Sequence, residues 1–306
     1  MATILVTTPT GHIGSRVVRQ LLAAPGGHTV RVLARDAGRL PATVRERAEV
    51  HTGALDEGDA LTRALDGADR FFFLIPPARP DVPDWLGWMR ETAAHALRAV
   101  AAAGAPRTVF LSSSGAHRDD LGPVSVLGEV ERQLAGVVPD LAVLRPGYYF
   151  ENALAAVPTI AGQGAIYGVY DPELAFPQIA TRDIGDAAAR WLADGGWRGH
   201  HLQALHGPRD LSMRELAADA AEALGRPVQY VQVPIEAVAA GMAGAGVGES
   251  IVREYSRMLT GLADSRFEHP EPRTPETTTP TTFAAWAAEV LRPAVEGAGA
   301  PAGAAA

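Results

Sequence analysis

Thr7-Thr8-Pro9-Thr10-Gly11-His12-Ile13-Gly14 joins a short apolar run, Thr3–Thr7, to a helical pattern at Ile13–Ala24, close to the start of the chain. Glycines in such a turn permit a tight bend and close packing of the helix on the strand. The helix amino terminus then offers free N–H groups and the positive end of its dipole to a pyrophosphate. Two of the three glycines usual for a dinucleotide turn are present, and Thr8 stands where the first is expected. As a bare pattern this is weak. The strand before it and the helix after it give it weight.

Working outward, further strand-like runs lie at Thr29–Leu33, Arg70–Leu74, Thr108–Ser112 and Leu141–Leu144, all short and continuously apolar. That character suits parallel strands covered on both faces. Asp59–Leu65 and Trp85–Ala103 supply crossover helices between them. Alternating strands and helices predict an α/β fold, a Rossmann-type doubly wound parallel sheet. After residue 150 the pattern loosens into a smaller C-terminal α/β substrate region. It holds a helix at Arg182–Ala193, strands at His200–Leu205 and Gln229–Val233, and a capping box Ser212-Met-Arg-Glu215 opening a helix that Gly225 can end. Ser265–Thr282 reads as a surface connection before a short helix at Phe283–Leu291. The expected organisation is a cofactor-binding domain at 1–150, an interleaved substrate-side region at 151–295, and a disordered Ala/Gly tail at 296–306.

The 306 residues include no cysteine and no lysine, and all 27 basic side chains are arginine. Thiolate nucleophiles, disulfides and lysine Schiff bases are thereby excluded. A net charge of −8 argues against nucleic-acid binding, and no apolar run reaches the roughly 18 residues that a membrane span needs. The amino terminus lacks the basic segment of a secretory signal, so a cytoplasmic location is expected. His200, His201 and His206 lack a spacing that converges on one ion, and no metal site is expected.

The second strand ends in Ala34-Arg35, where an acidic residue would favour NAD. An arginine pairs with a 2′-phosphate instead, so Arg35, with Arg39 nearby, points to NADP(H).

With these residues the sequence resembles the NmrA-like branch of the atypical short-chain dehydrogenase/reductase superfamily. The resemblance rests on the Thr8–Gly14 turn, Arg35-Asp36, Phe73–Pro77, Ser112-Ser113-Ser114-Gly115, Glu129-Val130-Glu131, Arg145–Asn152 and Thr181–Gly185. Within the group it looks similar to ergot-alkaloid-type imine reductases and NADPH-dependent quinone reductases. The resemblance implies that Thr8, Thr10, Gly11, His12, Ile13 and Gly14 hold the pyrophosphate. It implies further that Leu55 flanks the adenine, that Ile75, Pro76, Pro77, Ser112 and Ser113 line the way to the nicotinamide, and that Pro146, Gly147, Tyr148 and Tyr149 close over it.

The sequence departs from the superfamily at its Tyr-x-x-x-Lys pair. Aligned on Glu129, Pro123 takes the tyrosine position and Leu127 the lysine position. Tyr148, Tyr149, Ser114 and His117 remain as candidate proton donors. Glu151 could act as a carboxylate near the site or as a helix cap, and Trp85, Trp88 and Met89 read as one packed helix face. The function expected is NADPH-dependent reduction of a small, largely apolar imine, enone or quinone. The alternatives are a non-catalytic NADP(H) sensor and a non-redox isomerase or cyclase. The partner expected is a small-molecule substrate, with a homodimer or a protein partner left open.

Overall fold

The computed structural model describes residues 1–25, 27–56 and 58–299. In the amino-terminal half, β1 (Thr3–Thr7), α1 (His12–Ala23), β2 (Thr29–Ala34), α2 (Ala42–Arg47), β3 (Glu49–Thr52), α3 (Gly58–Leu65) and β4 (Arg70–Phe73) are followed by α4 (Trp85–Ala102), β5 (Arg107–Leu111), α5 (Pro123–Ala135) and β6 (Leu141–Pro146). These strands and β10 (His200–Leu205, below) form one seven-stranded sheet in the order β10-β6-β5-β4-β1-β2-β3. All its pairings are parallel. The order reverses between β1 and β4, which makes the carboxyl ends of those strands the ligand-binding crevice.

Side chains alternate across this sheet. Ile4 and Val6 face the layer of Val17, Val18 and Leu21, while Leu5, Phe71 and Phe73 face Leu61, Ala96 and Val100 on the other side. Burial on both faces explains why these strands read as unbroken apolar runs. The exceptions are the two edge strands: β3, which the sequence pattern does not show, has only half-buried or exposed residues and so no apolar run to read, and β10 is exposed or half-buried over its first four residues.

The remaining elements are β7 (Tyr148–Tyr149), α6 (Val157–Gln163), β8 (Ala165–Gly168), β9 (Ala175–Ile179), α7 (Thr181–Ala193), β10, β11 (Asp210–Ser212), α8 (Met213–Leu224), β12 (Gln229–Gln232), α9 (Ile235–Gly244), α10 (Glu249–Asp264), α11 (Phe283–Trp286) and α12 (Arg292–Gly299). Two of them rejoin the first half. One, β10, extends the main sheet beside β6, and the other, α7, packs on α1. Arg16 and Asp186 bridge those helices at 2.6 and 2.8 Å, and Gly185 permits their approach, since a Cβ there would meet that of Arg16 at 2.6 Å. The rest surrounds a second core of Phe150, Ile160, Phe176, Leu216 and Trp286, with small sheets β11-β9-β7 and β12-β8. The capping box closes α8 as expected, with Ser212 and Glu215 bonded reciprocally and Gly225 left-handed at the far end.

Three expectations are corrected. The final helix does not stop at Leu291: it passes through a π turn at Ala287–Leu291 into α12, anchored by buried Val295. Pro293, which has no N–H and whose ring crowds the carbonyl four residues back, accounts for the widened turn. Residues 296–299, expected as tail, are therefore helical, while 300–306 lie outside the described residues. The stretch 265–282 is more than a surface connection: within it Thr281 is buried, and its N–H and hydroxyl both donate to Asp183, at 2.9 and 2.7 Å.

Candidate active site

The turn after β1 is built on the carbonyl of Thr8. Gly11 N–H donates to it at 3.1 Å, and a Cβ on Gly14 would stand only 2.2 Å from it. Thr8 itself is left-handed, at φ +53°, the conformation for which glycine is usual and a β-branched residue is strained. Gly11 is the N-cap of α1 and brings no capping side chain, so the N–H groups of His12, Ile13 and Gly14 have no intrahelical acceptor.

These groups open on a cavity of about 1070 Å³ across the carboxyl ends of β1, β2, β4, β5 and β6. The structure brings to its wall Thr8, Thr10 and the rest of the turn, together with Arg35, Leu55, Ile75, Pro76 and Pro77. Ser112, Ser113, Ser114, Pro146, Gly147, Tyr148 and Tyr149 line it further along. Arg35 is exposed at one end and makes no ion pair among the described residues. The residues fit an NADP(H) molecule on these grounds: an uncapped helix start, a glycine edge that a side chain would fill, and directly after β2 the Arg35 guanidinium, which makes no ion pair among the described residues.

Beyond Ser112 the wall changes character. The Ser112 hydroxyl donates to Glu131, which Arg145 grips at 3.0 Å (Nε) and 2.6 Å (Nη2). Arg145 in turn holds Glu271 at 2.7 Å. This buried network fixes the ends of β5 and β6 and ties Ser112 to structure. Pro123 and Leu127 lie on the cavity wall and give it an apolar surface there. Gly147 lets the chain cross from β6 to β7, because a Cβ would stand 2.4 Å from the carbonyl oxygen of Pro177.

Tyr148 packs edge-on against Tyr170 and Phe176, with centroids 6.1 and 5.7 Å apart. Burial pushes the phenols of Tyr148 and Tyr149 well above the ordinary tyrosine range, so both stay protonated near neutrality. Glu151 lines the cavity but spends both oxygens elsewhere. It accepts from Thr181 N–H at the start of α7 and from Trp286 Nε1, each at 3.0 Å, and so acts as a cap.

His117 is a correction: it is not among the residues that line the cavity, but sits in the loop after β5, which removes its geometric support as a donor. The Trp85, Trp88 and Met89 face, for which core packing is the favoured expectation and a place over the site the alternative, lines the cavity, with Met89 buried. Their helix is held there by Trp85 N–H donating to Ser250 Oγ at 2.9 Å and Trp88 Nε1 to Asp56 at 3.1 Å. His200 meets the Val138 carbonyl at 2.9 Å and His201 that of Arg198 at 2.7 Å, while His206 is fully buried against His269.

Sequence reasoning missed the far end of the cavity, made by Tyr170, by Tyr255, Met258, Leu259 and Leu262 of α10, and by Phe267. A signal existed for α10, whose apolar residues recur at i, i+3, i+4 and i+7. None existed for Phe267, whose left-handed backbone, φ +56°, follows a left-handed Arg266.

The sequence model of the NmrA-like family matches residues 1–261. The chain is 32% identical over 253 residues to an NAD(P)H azoreductase of Xenophilus azovorans, covering 81% of this chain and 83% of the relative. It is 30% identical over 272 residues to the (4-alkanoyl-5-oxo-2,5-dihydrofuran-3-yl)methyl phosphate reductase of Streptomyces griseus, covering 86% and 89%. Among solved structures, the NADPH complex of an Escherichia coli NADPH-dependent quinone oxidoreductase superposes with a TM-score of 0.78 at 22% identity, covering 94% of this chain and 99% of that one.

Proposed function

The chain belongs to the NmrA-like family, and from that premise we propose that it is an NADPH-dependent reductase of a small, largely apolar imine, enone or quinone. One observation carries the reading: the cavity is continuous from the glycine turn and Arg35 to an aromatic end at Tyr148, Tyr255 and Phe267. About 1070 Å³ exceeds the usual volume of a small-molecule site and leaves room for a dinucleotide with a second molecule beside it. The azoreductase and furanyl-phosphate reductase relatives support the reaction class.

In this reading the N–H groups of His12, Ile13 and Gly14 hold the pyrophosphate, Arg35 the 2′-phosphate, and Leu55 packs beside the adenine. When bound, NADPH supplies a hydride from its nicotinamide. The chain's own contribution is orientation and exclusion of water: Ile75–Pro77 and Pro146–Tyr149 form the walls, and Trp88, Met258 and Phe267 supply apolar contact. Among the described residues no tyrosine–lysine pair faces the centre, since Pro123 and Leu127 stand where those two would; the cavity's tyrosines hold their protons tightly, and of the carboxylates on its wall Glu151 is spent as a cap. Such a site suits acceptors that are already electrophilic and gives little help to a ketone, whose developing alkoxide needs a proton.

The same lack of an acid pair supports a second reading, an NADP(H) sensor that signals through a partner protein. A panel of imines, enones, quinones and simple ketones, read at the NADPH absorbance band, decides between them. Consumption with the first three and little with ketones is expected. No consumption at all, together with a cofactor-dependent affinity for a protein partner, moves the assignment to the sensor.

A further inference from the structure

Helix α10 runs along the cavity and is pinned to the amino-terminal half near both ends. At its start Gly248 N–H donates to the Pro80 carbonyl at 2.7 Å, and Ser250 Oγ accepts from Trp85 N–H at 2.9 Å. Towards its other end Leu262 packs on Ala116, Leu121 and Val124. Gly261 lets the helix settle there, since a Cβ would stand 2.6 Å from a methyl of Leu121. Between the pins, the spacing i, i+3, i+4 and i+7 turns Tyr255, Met258, Leu259 and Leu262 to the cavity.

Of these four, Tyr255 alone carries a polar group. It is part-exposed, whereas Glu254 and Leu259 on either side are buried. Its hydroxyl makes no hydrogen bond among the described residues and is open to the cavity, unlike the enclosed hydroxyl of Tyr170. Burial alone raises its phenol, with no hydrogen bond contributing. Tyr148 differs, because the Asn152 side chain lies within hydrogen-bonding reach of its hydroxyl. The Tyr255 hydroxyl also lies near enough to oppose the ionisation of Tyr148, which places it beside the Pro146–Tyr149 wall. A phenol that keeps its proton enters a contact as a donor. This one is presented by a helix held at both ends, so little ordering is left to be done when a ligand arrives.

Resting on the reductase reading, we infer that Tyr255 Oη donates the hydrogen bond that holds the substrate's acceptor atom. That atom is a carbonyl or quinone oxygen, or an imine nitrogen. Met258, Leu259 and Phe267 make the neighbouring wall apolar, so the hydroxyl selects, among apolar molecules, those that carry such an atom. Tyr255 is a binding and specificity residue in this account, and it transfers no proton.

The test is Tyr255→Phe, which keeps the ring and removes one oxygen. Calorimetry on the NADP⁺-loaded protein with 1,4-naphthoquinone, and with naphthalene as its oxygen-free counterpart, separates hydroxyl from ring. Naphthoquinone is expected to bind the variant about tenfold more weakly, the size of one lost hydrogen bond. Naphthalene and NADPH should bind both proteins alike. The melting temperature should hold, because the hydroxyl has no protein partner to lose. Equal naphthoquinone affinity in the two proteins overturns the inference, and so does an equal loss for naphthalene. A failure of naphthoquinone to bind the unmodified protein, or a fall in melting temperature, overturns it as well. Turnover is a separate result, in which KM for naphthoquinone should rise about tenfold with kcat little changed. Tyr255-dependent binding without NADPH consumption removes the reductase reading and leaves the hydrogen bond standing. Naphthoquinone reduction with a KM indifferent to Tyr255→Phe does the reverse.

Discussion

The carbonyl oxygen of Thr8 lies 2.2 Å from where a Cβ on Gly14 would stand, so the turn and the first helical turn touch backbone to backbone. Gly11 differs. It is exposed to the cavity, and its Cβ would meet nothing nearer than that same oxygen at 3.5 Å.

The two glycines should therefore fail in different ways. Gly14→Ala should lower the melting temperature, because backbone has to move. Gly11→Val should fold normally by circular dichroism and lose NADPH binding by filling the phosphate edge. Normal NADPH affinity in a folded Gly11→Val protein would show that the phosphates bind elsewhere.

Arg35→Ala should remove most of the preference for NADPH over NADH, on the order of 1–3 kcal/mol for a charge-assisted contact. Because Arg35 is exposed, the preference should also shrink as salt is raised. Calorimetry with both cofactors reads this directly. Equal affinities in the unmodified protein sink the assignment.

Arg145→Ala leaves Glu131 and Glu271 buried without their cation. A loss of about 3–5 kcal/mol in stability is expected, as for other broken buried pairs. Urea denaturation measures it. A change below about 1 kcal/mol would place the network in the range of exposed pairs.

Tyr148, Tyr149, Tyr170, Tyr230 and Tyr255 all have phenols raised by burial, Tyr230 to about 12. The folded chain thus holds protons that the unfolded chain releases near pH 10. Stability from these groups is complete below that pH and is lost as pH rises through the folded values. No lysine or cysteine titrates in the same window. Urea midpoints should fall steeply between about pH 10 and 12, in step with phenolate absorbance. A flat profile there would refute burial of these rings.

Tyr148→Phe and Tyr149→Phe divide the roles at the nicotinamide end. Loss of quinone turnover with NADPH affinity kept marks a donor or polar anchor, whereas unchanged turnover leaves that tyrosine as packing. With both phenols so reluctant to ionise, turnover should show no tyrosine step between about pH 6 and 9.

The inner sheet was legible because its strands are buried on both faces: β1 falls where its apolar run begins and ends. The glycine turn and Arg35 were legible because each is a local feature of the sequence, the one between β1 and α1 and the other directly after β2. The aromatic end was not. Tyr170 and Phe267 reach the cavity only through tertiary packing from distant segments, and neither sits in a periodic pattern. Trp85 and Trp88 carried a pattern, but helical spacing gives the face and not what that face meets. His117 misled because a polar residue soon after a central strand lies near the crevice in sequence without belonging to its wall.

The place of β10 at the edge of the main sheet bears on how the protein is made. Hydrogen bonds on the outer side of β6 are completed only by His200–Leu205, and everything between Pro146 and His200 must first leave the ribosome. Until then the nascent sheet carries a bare parallel edge, the kind of surface on which growing chains associate wrongly. The amino-terminal half is therefore completed only once the chain has passed residue 205, and a stalled or truncated chain ending near residue 150 should be a client for chaperones instead of a free-standing cofactor binder.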